Sequence, residues 1–328
     1  MRKLTGFVAI ACALALSACE HAPSTLKPEG SGSRTIDGLW WFMFWTASAV
    51  FVIVMVILVV GILRRKRLAE IDRVDRRTET FVLISGAAIP FVILTALFFF
   101  VLHDLKTLSA AANDTKMTVQ VVGHDWWWEV RYPDAGAVSA NEIHIPTGER
   151  VRVEVTTDDV IHSLWVPQLN AKIDLIPGQT NATYFDADRP GIYRGQCAEF
   201  CGLQHAHMAL VVVAQTPSEF QSWLDNESQP IQTPADAEAR KGEDVFLSST
   251  CAGCHAIRGT DAAGDDGPDL THFASRQTIA AGTLPNTRGN LGGWIGDPQT
   301  IKPGAKMPPS ELEPNELQAL LTFLESLN

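Results

Sequence analysis

The stretch Arg194-Gly-Gln-Cys-Ala-Glu-Phe-Cys-Gly-Leu-Gln-His-Ala-His-Met208 places five soft or borderline metal-binding side chains within twelve residues. They are two thiols, two imidazoles and a thioether: Cys197, Cys201, His205, His207 and Met208. Such donors suit copper or zinc and do not suit magnesium or calcium. Gly195 and Gly202 let the backbone turn tightly near the thiols. The spacing alone also permits a disulfide between the two cysteines, so the rest of the chain has to decide between these chemistries.

The size and composition of the chain limit what kind of protein it can be. At 328 residues it has room for two or three domains. Its formal net charge of −11 argues against a nucleic-acid partner, which would require basic patches. The acidic surface fits a basic protein partner or is simply solvated. The sequence surroundings assign different roles to the six cysteines, which are Cys12, Cys19, Cys197, Cys201, Cys251 and Cys254.

Residues 1–19 have the features of an export signal. A basic start is followed by an apolar segment that is too short to span a bilayer, which is typical of a secretory signal peptide. The sequence Leu16-Ser-Ala-Cys19 resembles the bacterial lipobox, whose cysteine is lipidated after cleavage. We therefore expect a lipoprotein-type signal peptide with Cys19 as the lipidation site; an ordinary signal peptide is the alternative. Residues 20–38 are rich in Ser, Gly and Pro and are expected to form a linker.

Residues 39–104 predict a membrane hairpin. The uncharged runs 39–63 and 80–102 are each long enough to cross the hydrocarbon core as a helix. The loop between them is rich in Arg and Lys, so the positive-inside rule places it in the cytoplasm and the following domains on the outer side. Pro90 predicts a kink in the second helix. Glu79 opens that helix, where the helix dipole favours a carboxylate.

Residues 115–225 predict an all-β domain. Val151, Val153 and Val155 alternate with polar residues, as in a half-buried strand, and turn signals recur between short segments of this kind. The metal-binding stretch lies between two of the last strands. Far upstream, His162 follows another strand, and taken alone it is more simply a structural histidine. We expect a β-sandwich or small barrel that holds the metal-binding loop.

Three motifs of this region resemble subunit II of cytochrome c oxidase. They are His162 followed by Cys197-x-Glu199-x-Cys201-x3-His205-x2-Met208, the segment Gly123-His-Asp-Trp-Trp-Trp-Glu129, and the segment His162-Ser-Leu-Trp-Val-Pro-Gln-Leu-Asn-Ala-Lys-Ile-Asp174-Leu-Ile-Pro-Gly178. With the membrane hairpin before them, the resemblance covers roughly residues 35–225. It implies a cupredoxin-like domain that holds a dinuclear copper centre, called CuA.

The resemblance implies a ligand set for this centre. Two bridging thiolates, two terminal imidazoles, a weak thioether ligand and a weak carbonyl ligand would come from Cys197, Cys201, His162, His205, Met208 and Glu199 respectively. His207 lies outside the pattern. Zinc is the alternative for a Cys2His2 set, but it does not account for the spacing of the methionine or for the membrane hairpin.

Other residues acquire roles through the same resemblance. The side chain of Glu199 would help to bind magnesium at the interface with subunit I, and electrons would enter from a soluble cytochrome through Trp126. Glu79 matches the carboxylate at the mouth of a proton-uptake path, although helix capping explains it equally well. Trp127 stands where many relatives have tyrosine, which is a departure at a position without a ligand role.

A second redox centre is predicted after a polar, proline-bearing linker at residues 226–236. The pentad Cys251-Ala-Gly-Cys254-His255 is the attachment signature of c-type haem, in which two thioethers fix the porphyrin and the histidine binds the iron. A thioredoxin-like pair would need a βαβ context that the sequence lacks. A zinc site would need a second pair of ligands.

Residues 237–328 predict an all-α domain that resembles class I cytochromes c. Met307 is the expected sixth iron ligand, and His272 is its rival. The resemblance also implies that the carbonyl of Pro268 orients the proximal histidine. Leucines at i, i+3, i+4 and i+7 predict a last helix that begins near Pro314.

The whole chain resembles subunit II of a caa3-type oxidase, in which a cytochrome c domain is fused to the C-terminus. This implies the electron-entry subunit of a proton-translocating cytochrome c oxidase in the bacterial inner membrane, with CuA and haem c as cofactors. The implied partners are subunits I and III, membrane lipid, and a cytochrome c or bc1 complex as donor. Two alternatives stay open: a copper-delivery protein, and a membrane-anchored electron carrier without an oxidase core.

Overall fold

The computed structural model describes residues 23–64 and 76–328. The predicted signal peptide, with its lipidation site at Cys19, and most of the predicted cytoplasmic loop lie outside the described residues. The described part contains a pair of long apolar helices, a β-sandwich and a helical domain, in chain order.

The two N-terminal helical segments are long and apolar enough to cross a membrane. They are α1 (Ser31–Arg64) and, as one continuous segment, α2 (Arg76–Leu83), a π-helical turn (Ile84–Ala88) and α3 (Ile89–Ala111). Both segments extend beyond the apolar runs from which they were predicted. The π turn lies just before Pro90, whose ring and missing N–H disturb the hydrogen bonds of the preceding turn. The structure therefore has a π turn next to the proline at which the sequence predicts a kink.

The β domain is a sandwich of two five-stranded sheets. Its strands are β1 (Met117–His124), β2 (Trp127–Tyr132), β3 (Ala137–Ala140), β4 (Glu142–Pro146), β5 (Val151–Thr157), β6 (His162–Trp165), β7 (Ile173–Leu175), β8 (Asn181–Phe185), β9 (Gly191–Cys197) and β10 (Ala209–Gln215). One sheet has the order β3-β2-β1-β5-β8 and the other β4-β10-β9-β6-β7. Buried side chains of both sheets, among them Trp128, Ile143 and Leu210, share one core.

The alternation in the sequence explains which side chains fill this core. Val151, Val153 and Val155 are buried, and the residues between them are partly exposed. Strand β5 runs parallel to β1, with Val153 opposite Val119. Parallel neighbours cannot be joined by a tight hairpin, so the chain must cross between the sheets before it returns.

The first turn of α1 is fixed to the sandwich. The Ser33 N–H donates to the carbonyl of Leu169 over 3.0 Å. Gly32 approaches Asn170 so closely that a Cβ would lie 2.3 Å from the amide oxygen. These contacts join the start of α1 to the β domain.

A short helix that was not predicted closes the β domain. Helix α4 (Pro217–Glu227) has a capping box between Thr216 and Glu219, with proline in its first turn. The sequence Thr-Pro-Ser-Glu carries this signal in full. The helix places Trp223 against His144, with parallel rings 3.8 Å apart.

The C-terminal domain is helical, with one short β ribbon. Its elements are α5 (Ala237–Ser248), α6 (Cys251–Cys254), β11 (Thr278–Ile279), β12 (Leu284–Pro285), α7 (Arg288–Gly296), α8 (Pro298–Ile301) and α9 (Pro314–Glu325). Helices α5 and α9 cross at Gly242, where a Cβ would lie 2.1 Å from the Ala319 carbonyl oxygen. Phe246 and Phe323 pack beside this crossing, with ring centroids 6.0 Å apart. The crossing encloses the core of the domain.

Candidate functional site

Two strands and the loop after β9 bring the predicted copper ligands together. Strand β6 begins at His162 and pairs with β9, which ends at Cys197. The Ala198 N–H donates to the carbonyl of Ser163 over 2.9 Å, and the Cys197 N–H donates to the carbonyl of Met208 over 2.8 Å. Both ends of the ligand loop are therefore held by the sheet.

The donor atoms of the six predicted ligand residues form one compact group: His162, Cys197, Glu199, Cys201, His205 and Met208. The two Sγ atoms are 3.7 Å apart, far beyond a disulfide bond of about 2.05 Å. Cys197 Sγ lies 3.9 Å from His162 Nδ1 and 3.2 Å from the carbonyl oxygen of Glu199. Cys201 Sγ lies 3.7 Å from His205 Nδ1 and 3.9 Å from Met208 Sδ. Each thiol thus has one imidazole and one weaker donor beside it, a set that fits copper.

The two thiols differ in acidity because they share a hydrogen bond. This bond from Cys201, together with the neighbouring His162 imidazole, lowers the pKa of Cys197. The same bond, together with burial, raises the pKa of Cys201. The metal-free pair therefore keeps a proton, and a metal ion that binds both sulfurs must displace it.

Asp159 orients the first imidazole. Its Oδ1 lies 2.8 Å from His162 Nε2. Burial opposes ionisation of Asp159, but hydrogen bonds from His162 and from backbone N–H groups lower its pKa to about 2. A carboxylate only accepts, so the imidazole donates its Nε2–H to Asp159, and this bond directs the other ring nitrogen, Nδ1, towards Cys197. The sequence pattern does not single out Asp159, although it lies three residues before the histidine.

The ring of His162 fits against Gly123 and Trp128. A Cβ on Gly123 would lie 2.8 Å from His162 Cδ2. The ring of Trp128 meets the imidazole edge-on at a centroid distance of 6.0 Å. His162 is fully buried, so its position is fixed by packing as well as by hydrogen bonding.

Three other groups singled out from the sequence are not among these donor atoms: the imidazole of His207 and the side-chain carboxylates of Glu199 and Glu79. His207 Nδ1 contacts the side-chain oxygen of Gln204 at 2.7 Å. The carboxylate of Glu199 lies 3.6 Å from Lys172 Nζ. Glu79 lies exposed in the first turn of α2.

The pentad of the helical domain lines a cavity. Cys251, Cys254 and His255 all border it. His255 Nδ1 donates to the carbonyl of Pro268 over 2.7 Å, which leaves Nε2 available as a ligand. Burial lowers the pKa of His255 and so keeps the ring neutral. Gly267 makes room for the ring, because a Cβ there would lie 2.5 Å from His255 Cε1.

The two candidates for the sixth iron ligand lie in different places. Met307 borders the same cavity as His255. His272 is buried, with Nε2 within 3.0 Å of the Gln229 carbonyl, and it is not among the residues that border the cavity. Of the two candidates, only Met307 therefore borders the cavity that His255 lines.

A buried cation also suits haem in this cavity. Arg276 borders the cavity and is only 7% exposed. It donates to the carbonyl of Asp269, and its Nε has no hydrogen-bond partner among the described residues. Haem carries two carboxylates, which such an unused donor can bind. The residues present therefore fit a covalently attached haem.

Comparison with known proteins identifies the family. The model of the cytochrome c oxidase subunit II periplasmic domain matches residues 137–215, and that of cytochrome c matches residues 239–328. Cytochrome c oxidase subunit 2 of Alkalihalophilus pseudofirmus is 33% identical over 325 residues, which cover 96% of this chain and 94% of the relative. The chain belongs to the cytochrome c oxidase subunit 2 family.

Two further relatives match smaller parts of the chain. Subunit 2 of Bacillus subtilis is 32% identical over 285 residues, which cover 80% of each protein. The crystal structure of the periplasmic domain of subunit II from Bradyrhizobium japonicum is 33% identical, covers 35% of this chain and 94% of that chain, and gives a TM-score of 0.34.

Membership of the cytochrome c oxidase subunit 2 family confirms two predictions from the sequence. These are the relationship to subunit II with a fused cytochrome c domain, and the fold class of membrane helices, cupredoxin-like domain and helical cytochrome c domain. The two matched domains imply copper and haem c. The two apolar helices and the matched periplasmic domain indicate a membrane-anchored protein.

In this member of the subunit 2 family, Trp126 lies between the two candidate metal sites. Its indole N–H donates to the carbonyl of Cys201 over 2.8 Å. The same residue borders the cavity of the cytochrome c domain, as do its neighbours Asp125 and Trp127. The two domains also meet through the Ala209 N–H, which donates to the carbonyl of Ala281 over 3.0 Å. The cytochrome c domain is thus docked on the loop that carries the predicted copper ligands, residues 197–208, which we call the copper loop.

Proposed function

We propose that this chain is the electron-entry subunit of a proton-translocating haem–copper oxidase. Electrons pass from its own haem c to a dinuclear CuA centre and on to a separate subunit I, where oxygen is reduced. When bound, the copper pair and the haem iron supply one-electron redox chemistry at little structural cost. The protein contributes the placement of the two centres and the contact between them.

The observation that carries the proposal is the position of Trp126. One side chain contacts the Cys201 backbone and also borders the cavity that contains Cys251, Cys254 and His255. This contact supports a relay whose donor site and acceptor site lie in one chain. A tethered donor needs no diffusional encounter, so its effective concentration does not depend on the concentration of soluble cytochrome.

For the dinuclear centre we propose the six-residue set with bridging thiolates. The two sulfurs lie between two separate pairs of donors, one on the side of His162 and one on the side of His205. This distribution supports two ions that share the sulfurs. For the haem iron we propose His255 and Met307 as axial ligands. A thioether ligand raises the iron potential, which suits a donor to an oxygen-reducing enzyme.

The remaining roles follow from the resemblance to the family. We propose that the Glu199 carboxylate leaves Lys172 to help bind magnesium at the subunit I interface, and that Glu79 lies at the entrance of a proton path. Lipidation of Cys19, an inner-membrane location, a contact with subunit III, and a cytochrome c or bc1 complex as donor belong to the same proposal. Because the docked cytochrome c domain contacts Trp126, an external donor delivers electrons to the haem domain and not directly to this tryptophan.

Metal analysis of the purified chain tests the proposal against a copper-delivery protein. The expected result is two copper ions for each haem, together with the near-infrared band of a mixed-valence copper pair. A single copper ion per chain, or the absence of haem, would contradict it. Purification from gently solubilised membranes tests the second alternative. We expect a large haem-bearing membrane partner and oxygen consumption, whereas a carrier without an oxidase core would purify alone.

A further inference from the structure

Lys302 occupies an unusual position for a lysine. It directly follows α8, five residues before Met307, and only 3% of its surface is exposed. Lysine is almost never fully buried unless its amino group is paired. Among the described residues, no carboxylate lies within salt-bridge distance of Lys302 Nζ, so another kind of partner must account for its burial.

The partners of this amino group are two backbone carbonyls that belong to different domains. Lys302 Nζ donates to the carbonyl of Trp126, in the copper domain, over 2.7 Å. It also lies 3.3 Å from the carbonyl oxygen of Ala280, in its own domain. Burial lowers the pKa of Lys302 to about 7, but the amino group can donate in either protonation state.

The segment that supplies the second carbonyl is itself shaped by the domain contact. Ala280, Ala281 and Gly282 all have positive φ angles, of 53°, 55° and 72°. Two consecutive alanines in this region are uncommon and cost free energy. The conformation directs the Ala280 carbonyl to Lys302 and the Ala281 carbonyl to the N–H of Ala209, the residue after Met208. We call residues 280–282 the docking loop.

Lys302 is therefore the point at which three segments meet: the docking loop, the segment that leads to Met307, and the backbone of Trp126. An adjacent bond reinforces the contact, because Gln204 Nε2 donates to the carbonyl of Pro303 over 2.6 Å. If Lys302 were replaced by an apolar residue, the buried carbonyl of Trp126 would have no donor in the docked state. The docked state would therefore be destabilised relative to the undocked one.

We propose that Lys302 is a positioning residue that holds the cytochrome c domain docked against Trp126 of the copper domain. Lys302 belongs to the segment of the cytochrome c domain that leads to Met307, and it donates to the backbone carbonyl of Trp126 in the β domain. This bond fixes the position of one redox site relative to the other. Its importance for electron transfer rests on the proposed function, whereas its role in docking does not.

Amide-resolved hydrogen exchange on the full, metal-loaded chain tests the proposal. The probe is the Ala209 N–H, whose acceptor lies in the other domain, and the internal reference is the Val211 N–H, which donates to Asn141 within the copper domain. In Lys302→Met we expect exchange at Ala209 to rise about tenfold to a hundredfold, with Val211 unchanged. Lys302→Arg keeps a cation with donors and should restore most of the protection.

The matched control is Lys241→Met, since this lysine is exposed on α5 and the substitution removes the same charge. It should leave both amides unchanged. Lys302→Ile is the second variant, because Lys302 borders the haem cavity and isoleucine, unlike methionine, brings no thioether into it. Unchanged protection of Ala209 in the apolar variants, or equal loss in Lys302→Arg, would overturn the proposal.

The rate of electron transfer from haem to copper, measured in the same variants, separates the two proposals. A slower rate that accompanies faster exchange supports both. Faster exchange with an unchanged rate supports the docking role of Lys302 and contradicts the proposed electron route through the docked contact.

Discussion

The indole N–H of Trp126 donates to the backbone carbonyl of Cys201 over 2.8 Å, and Trp126 also borders the haem cavity. The side chain of Trp126 thereby connects Cys201, in the copper loop, with the cavity of the cytochrome c domain. Gly202 allows this contact, because a Cβ there would lie 3.1 Å from the indole ring.

Trp126→Phe should slow electron transfer between the two sites several-fold. The substitution removes the N–H that donates to the Cys201 carbonyl and shortens the ring, so the contact between the ligand loop and the haem cavity is weakened. Optical spectra of the haem and copper centres should stay unchanged. Flash-induced reduction followed at both centres measures the rate. Trp223→Phe, on α4, is the matched control and should transfer electrons at the wild-type rate.

Asp159→Asn should weaken copper binding. The amide cannot accept the Nε2–H of His162 as strongly, and loss of such a supporting partner typically costs about tenfold to a hundredfold in metal affinity. Competition with a copper chelator measures the change. Asp158→Asn alters the adjacent, exposed carboxylate and should bind copper normally. Equal affinity in the two variants would show that Asp159 does not support the site.

Gly267→Ala should reduce haem incorporation. The new Cβ would lie 2.5 Å from the His255 ring, so the imidazole must move away from the position set by Pro268. Overpacking of this kind costs about 1–3 kcal/mol of stability. Gly293→Ala places a methyl group in open space on α7 and should be neutral or slightly stabilising. The haem content of the two purified proteins, and their thermal unfolding, check this difference.

Copper loading should depend on pH with a definite sign. The hydrogen bond to Cys197 and burial raise the pKa of Cys201, so the metal-free site holds a proton in the neutral range. Copper must displace this proton; its apparent affinity therefore rises as pH rises and falls as pH falls. Calorimetry in buffers of different ionisation enthalpy measures the protons released. An affinity independent of pH, with no proton release, would contradict the geometry of the thiol pair.

Features that depend on residue type and spacing can be predicted from this sequence. The Cys–His–Met pattern, the haem pentad, the apolar runs and the alternation around Val153 each carry a chemical or periodic signal, and they predict the family and the fold class. Helix α4 also has a local signal, since Thr216 and Glu219 form a capping box, but the prediction of an all-β domain over residues 115–225 does not include this helix.

Other features have no local signal. A lysine is expected at the surface, so nothing in the sequence indicates that Lys302 is buried between domains. The sequence does not predict the left-handed backbone of Ala280 and Ala281, because alanine rarely adopts this conformation. The contact of Asp159 with His162 depends on the conformation of the turn before β6. All three are consequences of tertiary packing: the first two arise where the domains meet, and the third arises within the β domain.

The most direct test of the account is the concentration dependence of electron transfer in the purified, metal-loaded chain without other subunits. The haem is reduced by a short light pulse, and oxidation of the haem is followed together with reduction of copper. Transfer within one chain predicts a single rate constant that is the same at all protein concentrations. A rate that increases in proportion to protein concentration would show that electrons move between chains, and would contradict the account.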